Sequence, residues 1–118
     1  MKMKEAMLSD PTRIARIRQL NDDVRTTFVG GVVVMTAALA QVDDEKRRRV
    51  LHRVRSFDDF TEKNDPYNEH DFGAFCVDGE RYFFKHDYYD REMKYGSEDP
   101  ADTDKTTRVL TIGLMSDY

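Results

Sequence analysis

The chain has no tryptophan and a single cysteine, Cys76, in 118 residues. One thiol excludes an intramolecular disulfide and any zinc site built from several thiolates. Cys76 lies in a strand-like run and is expected to be a small buried hydrophobe; a nucleophile would need a nearby base and an exposed, electropositive setting. Long apolar runs are missing as well. The longest uncharged stretch, Thr26 to Val42, falls short of the roughly 20 residues of a membrane span and contains Gly30-Gly31. Met1 to Met7 alternate Lys and Met without the apolar centre of a secretory signal. A cytoplasmic protein without membrane partners is therefore expected.

Familiar catalytic fingerprints are missing too. There is no G-x-x-x-x-G-K, no G-x-G-x-x-G and no H-E-x-x-H, and the acids after Gly96 lack EF-hand spacing. Ser9, Ser56, Ser97 and Ser116 sit in cap, loop or tail contexts that do not favour a nucleophile.

What is present is charge: 36% of the residues are charged and 39% hydrophobic, so the core must be economical. The length fits one domain, residues 1–118, burying about 65% of its unfolded surface. Residues 1–9 are expected to be a flexible N-terminal segment. Seven Phe and six Tyr supply the bulky anchors. Tyr82, Tyr88, Tyr89 and Tyr95 read as half-buried sheet residues with a wet hydroxyl.

Asp10-Pro11 opens a first helix, with Ile14, Ile17, Leu20, Val24 and Phe28 on its apolar stripe. Gly30-Gly31 ends it. Val32 to Met35 suits a strand covered on both faces, and Thr36 to Gln41 a turn. Asp43, Asp44 and Glu45 start a second helix whose stripe is Val50, Leu51, Val54 and Phe57. Two strands, about Asp71 to Val77 and Glu80 to Tyr88, flank Asp78-Gly79, a strong hairpin signal because both turn residues accept positive φ. After a long acidic loop, residues 90–105, Thr106 to Met115 reads as the last strand. The order α-β-α-β-β-β predicts an α+β fold. About four mostly antiparallel strands would carry both helices on one face.

If Val77 and Glu80 close the turn, Asp71 faces His86 and His70 faces Asp87. That spacing allows a carboxylate to orient an imidazole for acid–base work, or His70, Asp87 and Asp90 to hold a divalent metal with Glu69 nearby. It also allows ordinary ion pairs. His70, Asp71, His86 and Asp87 are thus the candidate catalytic residues. No other cofactor is implied.

Charge is unevenly spread. Residues 1–55 carry 12 basic and 7 acidic side chains; residues 56–118 carry 7 basic and 16 acidic. Arg47, Arg48, Arg49 and Arg53 on the second helix are candidates for phosphate contact in a nucleic-acid regulator. They read equally as a solvated face whose stems cover apolar surface, and a net charge of −4 argues against a dedicated nucleic-acid binder. The acidic half gathers at the end opposite the hairpin turn. Asp65, Glu69, Asp90, Glu98, Asp99, Asp102 and Asp104 there form a rim that would steer a basic protein surface toward it. Opposite charges on the two halves also permit a homo-oligomer.

Several phrases resemble a known family: IRQLNDD from Ile17, GGVVVMTA from Gly30, FDDFTEKNDP from Phe57, EHDFGAF from Glu69, DYYD from Asp87 and TRVLTI from Thr107. They look like a small uncharacterised bacterial domain of unknown function, found in alphaproteobacteria and their plasmids and integrative elements. The resemblance covers nearly all of residues 10–118. It implies a cytoplasmic setting and accessory roles such as countering host defence, and no activity. The leading expectation is a non-enzymatic interaction protein whose acidic end docks a basic partner.

Overall fold

Asp10 accepts a hydrogen bond from the Thr12 amide at 2.9 Å and Pro11 follows at the first helical position, so α1 (Pro11–Thr27) starts where capping chemistry places it. The computed structural model describes residues 10–118; the segment 1–9 expected to be flexible lies outside the described residues. Phe28, at φ 59°, closes α1 with a bond from its amide to the Val24 carbonyl at 2.7 Å. After β1 (Val32–Met35) comes a short helix, α2 (Ala37–Ala40), capped by Thr36 where a turn was expected. Asp43 then caps α3 (Asp44–Ser56), with Asp44 and Glu45 in the first turn and Arg53 and Arg55 in the last, matching the helix dipole.

Asp78 and Gly79, at φ 53° and 80°, make the two-residue reversal between β2 (Phe72–Val77) and β3 (Glu80–Tyr89). The ladder runs from Val77–Glu80 to Phe72–Lys85 in the register expected from the turn. β4 (Thr107–Leu114) pairs with β3 and leads into a 3-10 turn at Met115–Asp117.

The strand order is β1-β4-β3-β2. β3 lies antiparallel to both neighbours, whereas β1 runs parallel to β4, so the α+β sheet is mixed rather than wholly antiparallel. The chain leaves β1 at one edge and crosses the sheet through α3 before entering β2 at the other. Parallel pairing needs a long crossover of this kind. β1 is not covered on both faces as its apolar run suggested. It is an edge strand, and Val32, Val34 and Met35 are 44%, 40% and 41% exposed.

The core fills the space between sheet and helices. Val24, Leu39, Val50 and Val54 meet Phe75, Tyr82, Phe84, Leu110 and Ile112 there, which places both long helices on one face. Tyr82 is fully buried rather than half-wet. Cys76 corrects another expectation: alternation along β2 turns Gly73, Phe75 and Val77 inward and leaves Cys76 exposed.

At Gly73 the rings of Phe57 and Phe84 occupy the space a side chain would need. A methyl group there would lie 2.7 Å from Phe84 Cζ and 2.8 Å from Phe57 Cε1. Gly73→Ala is expected to lower unfolding free energy by about 2 kcal/mol. Urea denaturation measures this; an unchanged midpoint would mean that the two rings move aside freely.

Candidate functional site

The hairpin register holds, yet the His-Asp quartet does not assemble. Asp71 and His86 are opposite each other, joined through the backbone by the His86 amide and the Asp71 carbonyl at 2.8 Å. One residue earlier, His70 adopts φ 55° and turns off the ladder. Its ring goes to α1, where Nδ1 lies 2.9 Å from Asp22 Oδ1, and stacks on Phe60 at 3.8 Å between centroids. Nε2 lies 3.8 Å from Asp65 Oδ2. The expected pairing of His70 with Asp87 is therefore replaced by an Asp22–His70–Asp65 arrangement. Asp87 instead pairs with Lys85 at 2.9 Å, and the pairing raises the lysine pKa.

His86 is 5% exposed, and neither ring nitrogen has a hydrogen-bond partner among the described residues. Burial, followed by the nearby Arg108 and Arg25 guanidiniums, lowers its pKa to about 3. It is a neutral imidazole at physiological pH. Asp71 moves the other way: burial, then the neighbouring Glu69 carboxylate, pushes its pKa up. Asp90 Oδ1 accepts from the Lys94 amide at 2.9 Å. His70, Asp87 and Asp90 thus have three separate sets of partners. Among the described residues, no group of three or more His, Cys, Asp or Glu side chains is arranged to hold a metal ion.

A polar network that sequence reasoning missed lies beneath the acidic end. Asn21 is wholly buried and joins three elements. Its Nδ2 donates to Tyr88 Oη at 2.7 Å and to the Glu69 carbonyl at 3.0 Å, while its Oδ1 accepts from Arg108 Nε at 2.9 Å. Tyr88 donates to Glu69 Oε1 at 2.8 Å. Burial and the Glu69 charge raise the Tyr88 pKa, so the hydroxyl stays protonated. Arg25, 4% exposed, caps the C-terminal end of α3 through the Val54 and Phe57 carbonyls at 3.0 and 2.8 Å. The signal was present in the spacing. Asn21 and Arg25 follow Ile17 at four-residue steps, and Arg108 precedes Leu110 and Ile112 at two-residue steps.

This network supports the loop of residues 90–105. The Asp90 amide bonds the Tyr95 carbonyl at 2.8 Å, Ser97 bonds back to Tyr88 at 3.0 Å, and Tyr89 bridges Gly96. Asp99 is gripped by Arg13 at 2.9 Å, and its carbonyl accepts from Thr106 Oγ1 at 2.8 Å. Arg108 donates to the Pro100 carbonyl. The predicted acidic residues therefore divide in two. Asp65 is buried and binds the Glu69 and His70 amides at 3.0 and 3.1 Å. Glu69, Asp90, Asp99 and Asp102 also hold local structure, Asp102 through the Asp104 amide at 2.9 Å. Glu98 and Asp104 are exposed, as is Glu92. Tyr95, 74% exposed, and Met93, 48% exposed, stand beside them rather than in the sheet.

The arginines of α3 reach the neighbouring elements. Arg47 donates to the Ala40 and Val42 carbonyls at 3.1 and 2.8 Å. Arg49 holds both Asp78 oxygens at 2.9 and 2.8 Å, which lowers the Asp78 pKa. Arg53 donates to the Cys76 carbonyl at 3.0 Å and lies over the Phe75 ring. Arg48 is exposed and has no such partner among the described residues.

These features define a small α+β protein with a mixed four-stranded sheet, two long helices on one face, and an acidic loop anchored through a buried polar network. No helix among the described residues is long and apolar enough to cross a membrane. Residues 35–117 match the family described as "Protein of unknown function (DUF3768)", and the chain belongs to that family. The resemblance to an uncharacterised family stands on that match. No curated protein and no solved structure matches the chain. Helix α1, which contributes Arg13, Asn21, Asp22 and Arg25 to the network, lies before the matched segment.

Proposed function

We propose that the protein is a cytoplasmic, non-enzymatic interaction protein whose 90–105 loop docks a basic protein surface. The observation that carries this reading is the exposure of Tyr95 and Met93 on a loop whose backbone is tied down on both sides. Tyrosine and methionine are enriched in interface cores, and a pre-ordered loop loses little entropy on binding. Glu92, Glu98 and Asp104 are exposed and line one surface cleft with Tyr95, Arg91 and Lys105. The loop as a whole carries six acidic and three basic residues, a balance that favours basic partners and hastens encounter at low salt. Asp90, Asp99 and Asp102 serve the binding surface indirectly by fixing its shape. The mobile-element accessory or anti-defence role belongs to the same proposal and rests on the family-like phrases.

A lysine- and arginine-rich peptide is the test probe, followed by amide chemical-shift mapping at low and moderate salt. Shifts are expected to concentrate in residues 90–105. Tyr95→Ala is expected to weaken binding about tenfold, as truncation of an exposed aromatic anchor does. Replacing Glu92, Glu98 and Asp104 with their amides should remove most of the salt dependence. Shifts centred elsewhere, or binding indifferent to both changes, would refute the reading.

A further inference from the structure

β2 is the last strand of the sheet, and no strand among the described residues pairs with its outer side. The bond from the His86 amide to the Asp71 carbonyl sets the phase of the ladder. Asp71, Gly73, Phe75 and Val77 turn their backbone groups to β3, so Phe72, Ala74 and Cys76 turn theirs outward. Among the described residues, the Cys76 carbonyl accepts from Arg53, and no protein group meets the outward amides of Ala74 and Cys76.

Helix α3 runs beside this edge. Between them lies a groove of about 510 Å³, lined by four basic side chains (Arg48, Arg49, His52 and Arg53), two acids (Glu45 and Asp78), Cys76 and Val77. Arg49 already neutralises Asp78. Arg48 and His52 are exposed, and no acceptor bonds their side chains among the described residues. An open strand edge therefore faces a basic helix across a channel.

We propose that this groove takes an extended acidic peptide, added to β2 as a fifth strand with carboxylates directed at Arg48, His52 and Arg53. Strand addition draws affinity from main-chain bonds, and alternate side chains supply specificity. Every second side chain of the incoming strand falls on the α3 side, where charge is complementary. A polynucleotide's phosphates could accept from the outward amides of β2 but bring no donors spaced to meet its outward carbonyls, whereas an extended peptide matches both. Arg53 covers the Cys76 carbonyl in the free protein and so blunts the edge. An incoming amide takes over that carbonyl and releases the guanidinium to a carboxylate. The groove lies beside the Asp78-Gly79 turn, at the opposite end of the hairpin from the acidic loop. The inference is independent of the function proposed above.

The probe is a fluorescein-labelled octapeptide of alternating Glu and Val, titrated into the full chain. Binding is expected to weaken with salt and to fall at least about tenfold in Ala74→Pro and in Arg48→Glu. Proline at position 74 removes an outward amide that the β2–β3 ladder does not use. Should Ala74→Pro not fold, Arg48→Glu and amide exchange in the unaltered chain carry the test. The Ala74 and Cys76 amides should both exchange more slowly with peptide bound. Affinity unchanged in both variants, or unprotected amides, would overturn the proposal. So would tighter binding of a single-stranded oligonucleotide that ignores Ala74→Pro. Concentration-dependent protection of these amides without peptide would assign the edge to a second copy instead.

Discussion

His86→Leu is expected to make the fold markedly more resistant to acid. Burial, then the nearby Arg108 and Arg25 guanidiniums, with Asp22 as a weaker opposing charge, lower the pKa of the wild-type ring to about 3. The unfolded chain takes up that proton near pH 6.5, so between the two values the unfolded state binds more protons. The contribution to stability is therefore intact above about pH 6.5 and shrinks as pH falls toward 3. Over the whole interval the loss is on the order of 5 kcal/mol. Asp71 opposes it: with a raised pKa, its folded carboxyl gains a proton more readily than the unfolded one, favouring the fold as acid is added. Comparing variant with wild type at each pH cancels that contribution. Leucine removes two buried nitrogens that have no partners among the described residues, so little should be lost at neutral pH. Urea unfolding at about pH 7 and about pH 4.5 measures the difference; parallel profiles for the two proteins would contradict the account.

Asn21→Ala is expected to destabilise the protein by about 3 kcal/mol and to loosen the acidic loop. The substitution leaves Arg108, 3% exposed, without its Nε acceptor and takes a donor from both Tyr88 and Glu69. A buried cation that loses a partner is more costly than a neutral group in the same position. Arg108 also reaches the Pro100 carbonyl, so its displacement carries into residues 97–106. Tyr88→Phe, which removes one hydroxyl, should cost about 1 kcal/mol, and the double variant less than the sum because both act on one network. Amide exchange should quicken at Asp102 and Lys105, whose amides bond within the loop, and at Ser97, whose amide ties the loop to the Tyr88 carbonyl. A cost well under about 1 kcal/mol with unchanged exchange would show that the loop stands without the network.

The parts of the structure legible in the sequence share a cause. Asp10, Asp43 and the Asp78-Gly79 turn each act on backbone within a few residues, so their consequences could be derived without knowing the fold. The hairpin register followed from the turn alone. Edge or centre was a different matter for Val32 to Met35, because four apolar residues read alike in both places. Cys76 was misplaced because a small apolar side chain is compatible with either face of a strand. Asn21, Arg25 and Arg108 occupied inward phases of their elements, yet polarity argued for the surface. Only the presence of partners makes such burial tolerable.

The residues by themselves determined the elements, the hairpin pairing, the α+β class and the division of charge between the two halves. These depend on capping, turn conformation and periodicity, which are short-range and additive. Tertiary packing decided which side chains meet. It joined His70 to Asp22 across 48 positions, Asn21 to Tyr88 across 67, and Arg108 to Asn21 across 87. It also committed five of the seven acids of the rim, all but Glu98 and Asp104, to internal bonds. Such pairings arise when buried polar groups find mutual partners after the helices settle on the sheet, and no local pattern encodes that choice.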